Sequence, residues 1–129
     1  MLGVNHKSAP IDIREKLVFD KHSIPKALED IKNIEGVNEV VLISTCNRTE
    51  IYTENDIDNS KIIKWLSANQ NSVKDCEPFM YNYSEEKAIK HLFNVASGVD
   101  SMVIGENEIL GQVKDAFKIA DKNNCIKSS

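Results

Sequence analysis

The stretch that most constrains the fold is Val40–Tyr52, which reads VVLISTCNRTEIY. An apolar run from Val40 to Ile43 stops at Ser44 and Thr45. After Cys46, Asn47 and Arg48, the residues from Thr49 to Thr53 alternate in strand fashion. Two β-type runs around a short polar break that contains asparagine read as a hairpin or sharp strand reversal. Cys46 then sits at a tip, where a thiol is reachable. Arg48, two residues on, is placed to add positive potential there or to grip an anionic group.

The flanking sequence supplies the other elements. Met1–Asn5 reads as a short strand and His6–Pro10 as a loop, followed by a short helix over Ile11–Phe19. Ser23 and Pro25 start a second helix with apolar positions Ile24, Ala27, Leu28 and Ile31, and Gly36 lies past its end. Asp58 or Asn59 caps a third, carrying Ile62, Ile63, Trp65, Leu66 and Ala68. Phe79–Tyr83 is short and aromatic, a strand. This order is β, α, β, β, α, β with an extra helix after the first strand. It predicts an α+β fold, the ferredoxin-like split βαβ sandwich, over residues 1–83.

Residues 84–129 read as a helical extension of the same domain. Ser84, Glu85 and Glu86 form a capped acidic first turn, and Ile89, Leu92, Phe93 and Ala96 form one face. Ser97 and Gly98 end that helix, a loop covers Val99–Glu106, and a last helix begins near Asn107. Its stripe is Ile109, Leu110, Val113, Ala116, Phe117 and Ala120. The tail Asn123–Ser129 reads as frayed, a point where a longer chain was cut.

A chain of 129 residues can bury one core. No apolar run is long enough to span a bilayer, and no signal-peptide pattern opens the chain, so a cytoplasmic location is expected. Three cysteines, Cys46, Cys76 and Cys125, have no CxxC or Cys/His spacing, which predicts free thiols and no metal site. A net charge of −4 does not suit a nucleic-acid binder, so any RNA contact falls to local cations such as Lys7, Arg14 and Arg48.

An arbitrary cysteine is usually buried filler, but Cys46 has polar neighbours on both sides. A nearby cation can raise the thiolate fraction of such a group. Arg48 is by default a surface charge and alternatively a bidentate carboxylate clamp. His91 lies off the apolar face of its helix, which leaves solvated histidine or a proton-transfer residue. His6 has the same two readings with less support. Residues Ser101–Gln112, SMVIGENEILGQ, are a capping turn or a polar pocket wall. Three classes fit these residues: a thiol-dependent acyl-transfer enzyme, a non-catalytic ferredoxin-like binding or regulatory module, and an RNA-binding sheet. The last has Tyr52, Tyr81 and Tyr83 but little positive charge, and ranks lowest.

Three blocks then add up. GVNHKSAP at residues 3–10, STCNRTEIY at 44–52 and HLFNVASGVDSMVIGENEILGQVKDAF at 91–117 closely resemble the N-terminal catalytic domain of the glutamyl-tRNA reductase family, nearly end to end. The resemblance implies that Cys46 attacks the ester of glutamyl-tRNA to give a thioester, which NADPH reduces to glutamate-1-semialdehyde for tetrapyrrole synthesis. It implies that Thr45, Asn47 and Arg48 line the glutamate pocket and that Ser101, Glu106, Asn107, Glu108 and Gln112 close it. His91 matches an activity-supporting histidine. Many members have Glu-Pro-Gln where this chain has Glu106-Asn107-Glu108. No GxGxxG is possible with Gly3, Gly36, Gly98, Gly105 and Gly111, and the resemblance implies that the family's NADPH-binding and C-terminal dimerisation domains lie outside this chain. The expectation is a homodimeric full-length enzyme and a monomeric fragment that makes or hydrolyses the thioester without producing aldehyde.

Overall fold

The computed structural model describes residues 1–55, 59–69, 77–96 and 109–126. In chain order the elements are β1 (Leu2–Asn5), α1 (Ile11–Leu17), α2 (Ile24–Lys32), β2 (Val37–Ser44), β3 (Arg48–Asn55), α3 (Ser60–Asn69), β4 (Tyr81–Asn82), α4 (Glu85–Ala96) and α5 (Ile109–Lys122). The four strands form one sheet in the order β2-β3-β1-β4, and every neighbouring pair is antiparallel.

Registers place Leu42, Ile51 and Leu2 in one row across the sheet, and Ile43, Glu50, Gly3 and Tyr81 in the next. Partners in a row share a face and consecutive rows alternate, so the sheet has two chemically different sides. One carries Leu2, Val4, Val40, Leu42, Thr49 and Ile51, all buried. The first helices are tied to it: Thr49 Oγ1 donates to the Leu17 carbonyl at the end of α1 (3.1 Å), and the Phe19 N–H donates to Ser44 Oγ (2.9 Å). Phe19 stacks on Trp65 of α3, centroids 6.0 Å apart. The other side carries Gly3, Asn5, Arg48, Glu50, Tyr52 and Tyr81 beneath α4.

Helical spacing explains most of the packing. Ile24, Ala27, Leu28 and Ile31 are the buried face of α2, and Ile62 and Leu66 are buried on α3. Ser23 occupies the N-cap of α2 without a side-chain cap bond. Its hydroxyl donates to the Asp20 carbonyl, while Asp20 Oδ1 accepts the N–H groups of His22 and Ser23. Gly36 adopts φ 95° in the turn closed by the Val37 N–H on Ile34 O, a backbone region that suits glycine.

Three sequence expectations are corrected. The strand expected at Phe79–Tyr83 is only Tyr81–Asn82, preceded by a 3-10 turn over Glu77–Phe79. On α4 the expected apolar face holds for Leu92 and Ala96, which pack against the core, but fails for Ile89 and Phe93, which are exposed, Phe93 by 71%, whereas His91 is turned inward beside buried Val95. The reason is a polar partner on the sheet that helical periodicity alone does not reveal. The expected fraying after Asn123 fails through Ile126. Asn124 takes φ 58°, its N–H reaches Asp121 O, and the Cys125 N–H reaches Ala120 O (2.8 Å), a Schellman ending with Asn in the left-handed position. Cys125 is buried, and its carbonyl accepts the Val40 N–H of β2 (2.8 Å). The expected cap Asp58, Cys76, the helix end Ser97–Gly98 and the loop Val99–Glu106 lie outside the described residues.

Candidate active site

β2 and β3 pair up to Ser44 and Thr49, and the turn between them is built by Thr45. Its N–H donates to the Arg48 carbonyl (2.8 Å), and its Oγ1 accepts the N–H groups of Asn47 (3.1 Å) and Arg48 (3.2 Å). Cys46 and Asn47 do not have the positive φ of the usual asparagine hairpin turn. A threonine hydroxyl organises this reversal instead. Cys46 is exposed at its tip, as expected from the sequence.

The loop after β1 stands at the same end of the sheet, because Asn5 pairs with Arg48. Asn5 Oδ1 accepts the N–H groups of Lys7 (2.9 Å) and Ser8 (3.1 Å), which fixes His6–Ser8 beside the tip. Thr45 is buried and Asn47 half-buried. Gln112 is an exposed residue of α5. Ser101, Glu106, Asn107 and Glu108 lie outside the described residues.

Arg48 is not a surface charge. Its side chain and that of Glu50 are both 0% exposed, with Nη1 3.5 Å from Glu50 Oε2. Glu50 also accepts from Tyr52 Oη on Oε1 (2.9 Å) and from Tyr81 Oη on Oε2 (2.5 Å), and His91 Nε2 lies 2.5 Å from Oε2. The His91 ring packs against two tyrosines, 5.3 Å from the Tyr81 ring and 5.1 Å from the Tyr83 ring, which are 5.4 Å from each other. The sheet aromatics considered for RNA stacking are therefore engaged beneath α4.

Burial alone would push the Glu50 carboxyl up, but hydrogen bonds from His91 and Tyr81, with the charges of His91 and Arg48, hold it below the ordinary value of 4.5. Burial, reinforced by the Glu50 charge and hydrogen bond, pushes the Tyr81 phenol well above its ordinary range, so it stays a donor. The sign for stability follows from the lowered carboxyl. Glu50 stabilises the fold fully above the ordinary carboxyl value, and that contribution is lost as pH falls through its lower folded value. Urea midpoints of the parent should therefore exceed those of Glu50→Gln at neutral pH, with the gap shrinking on acidification.

Sequence reasoning missed Glu50, Tyr52 and Tyr81 as site residues. No local signal marks Glu50: its partner in the row is Gly3, which leaves space for the side chain to lie flat across the sheet, and that pairing is non-local. A Cβ on Gly3 would come within 2.9 Å of Glu50 Cγ. A separate cleft of about 990 Å³, lined in part by Val41, Tyr52, Tyr83, Leu92 and Phe117, opens between the sheet and the last two helices, and Cys46, Arg48 and His91 do not line it. Among the described residues, no group of three or more His, Cys, Asp or Glu is placed to hold a metal ion, and no helix is long and apolar enough to cross a membrane.

Comparison with known proteins identifies the family. The family model for the N-terminal domain of glutamyl-tRNA(Glu) reductase matches residues 2–129. The glutamyl-tRNA reductase of Xylella fastidiosa strain M12 is 43% identical over 120 residues, 93% of this chain and 27% of that protein. The glutamyl-tRNA reductase of Aliivibrio fischeri is 41% identical over 132 residues, 100% of this chain and 32% of that protein. A solved structure of glutamyl-tRNA reductase from Methanopyrus kandleri matches with a TM-score of 0.79 and 32% identity, covering 98% of this chain and 29% of that one. The chain thus spans about 30% of the length of these relatives. It belongs to the glutamyl-tRNA reductase N-terminal domain family.

Proposed function

We propose that this chain is the acyl-transfer domain of a glutamyl-tRNA reductase, with Cys46 as nucleophile. The thiolate attacks the carbonyl carbon of the ester joining glutamate to tRNA. The carbon–oxygen bond to the ribose then breaks, the ribose oxygen takes up a proton, and glutamate remains on sulfur as a thioester. His91 is the group that carries the proton between thiol and leaving oxygen. Arg48 and the Thr45–Asn47 turn recognise the glutamate, with Ser101, Glu106, Asn107, Glu108 and Gln112 closing the pocket. The sheet and its first three helices serve as a ferredoxin-like platform, residues 1–83, to which residues 84–129 are added.

The observation that carries this reading is an exposed thiol on a hairpin tip fixed by three hydrogen bonds within four residues. Acyl transfer needs a nucleophile that is both reachable and held in place. NADPH, the reductant this family implies, does not fit the described residues: every strand pair is antiparallel, and no parallel β-α-β unit or glycine-rich phosphate turn is present among them. No hydride step is assigned to them.

The test is intact-protein mass after brief mixing with glutamyl-tRNA and acid quench, beside Cys46→Ser. A hydroxylamine-sensitive glutamyl adduct is expected on the parent and should be absent from the variant. No adduct on a parent whose Cys46 is readily alkylated would overturn acyl transfer by this chain alone. An unreactive Cys46 would favour the non-catalytic binding or regulatory module.

A further inference from the structure

We propose that Glu50 is the positioning residue for His91: its buried carboxylate holds the protonated Nε2, so that the ring's lone pair for proton transfer resides on Nδ1. This deepens the acyl-transfer reading and rests on it. An ionised carboxylate only accepts hydrogen bonds, so each close partner of Glu50 must donate. Tyr52 and Tyr81 do so through their hydroxyls, and at 2.5 Å the same logic requires a proton on His91 Nε2. A neutral imidazole carries one proton, and a proton on Nε2 leaves Nδ1 as the acceptor.

The surroundings hold this arrangement from four elements. Tyr52 and Arg48 on β3 fix the carboxylate along its own strand, while Tyr81 on β4 reaches it from across β1. β1 supplies the space: Gly3 faces Glu50 in the register, and no larger residue fits beside Glu50 Cγ. On α4, the His91 ring plane is set by Tyr81 and Tyr83, inclined to it by 55° and 49°. The ring is 12% exposed and its Glu50 partner fully buried. A carboxylate that orients a histidine and selects its tautomer is a recurring way to prepare an imidazole for proton transfer, and loss of the correct tautomer in such a pair costs on the order of 10⁴ in rate.

The test reads tautomer and acylation separately. Long-range proton–nitrogen correlation spectra of the chain labelled at histidine nitrogen, with His91→Asn to assign the signals, should show a protonated Nε2 and bare Nδ1 in the parent above the imidazole titration. Glu50→Gln should give a mixture of tautomers and an acylation rate at least ~100-fold lower. Tyr81→Phe, which removes a bond from Glu50 but leaves the carboxylate to His91, should keep the tautomer and lose less rate than Glu50→Gln. A proton on Nδ1 in the parent overturns the proposal, and that reading does not depend on either variant folding. Equal rate losses in both variants with an unchanged tautomer also overturn it, because the cluster would then be only structural. Acylation absent from the parent with Nε2 protonated supports the positioning of His91 and overturns the acyl-transfer reading instead.

Discussion

Arg48→Met should destabilise the fold by about 3–5 kcal/mol, the cost of removing one partner from a buried ion pair. Both side chains are fully buried, so water cannot take over the lost charge. Two tyrosine hydroxyls and His91 would remain on Glu50, but the permanent cation would be gone. Adding Glu50→Gln to Arg48→Met should recover part of the loss, because the second change removes the stranded charge. Urea denaturation of the two single variants and the double variant checks this. A loss below about 1 kcal/mol for Arg48→Met would place the pair in the class of solvated surface bridges.

Gly3→Ala should cost about 1–3 kcal/mol, the usual range for overpacking, although it adds one methyl group. That carbon would stand 2.8 Å from the Thr49 carbonyl oxygen and 2.9 Å from Glu50 Cγ. The first contact is with backbone, so relief requires β1 and β3 to separate locally. The second pushes Glu50 away from Tyr81 and His91. Thermal melting should show the destabilisation, and the His91 ring signals should lose their single tautomer even where the chain remains folded. Gly3→Ala with the stability and ring signals of the parent would mean that the row across β3, β1 and β4 has slack.

The hairpin was legible because its signal is local: Val40–Ile43, a polar break and an alternating run specify two strands and a tip within thirteen residues. The order of elements was legible for the same reason. What the sequence concealed is non-local. Glu50 alternates with Thr49 and Ile51 like any residue facing water, and only its placement opposite Gly3 and below α4 makes it a buried hub. His91 read as lying off the apolar face of its helix and open to solvent, yet the helix turns it inward because Glu50, forty-one positions away, receives it. Arg48 read as a surface charge by default or as a carboxylate clamp, and its buried partner Glu50 was concealed for the same reason. Thr45 looked like a pocket residue, whereas its hydroxyl is also the organiser of the turn, a role that no asparagine-based hairpin rule anticipates.

The bond from the Val40 N–H to the Cys125 carbonyl has a consequence for solubility. β2 lies at the border of the sheet and contains VVLI, a run whose open backbone would invite pairing with a neighbouring molecule. The Schellman turn after α5 places a carbonyl there first, and the opposite border is only two residues long. The sheet thus carries built-in protection against growing, strand by strand, into an aggregate.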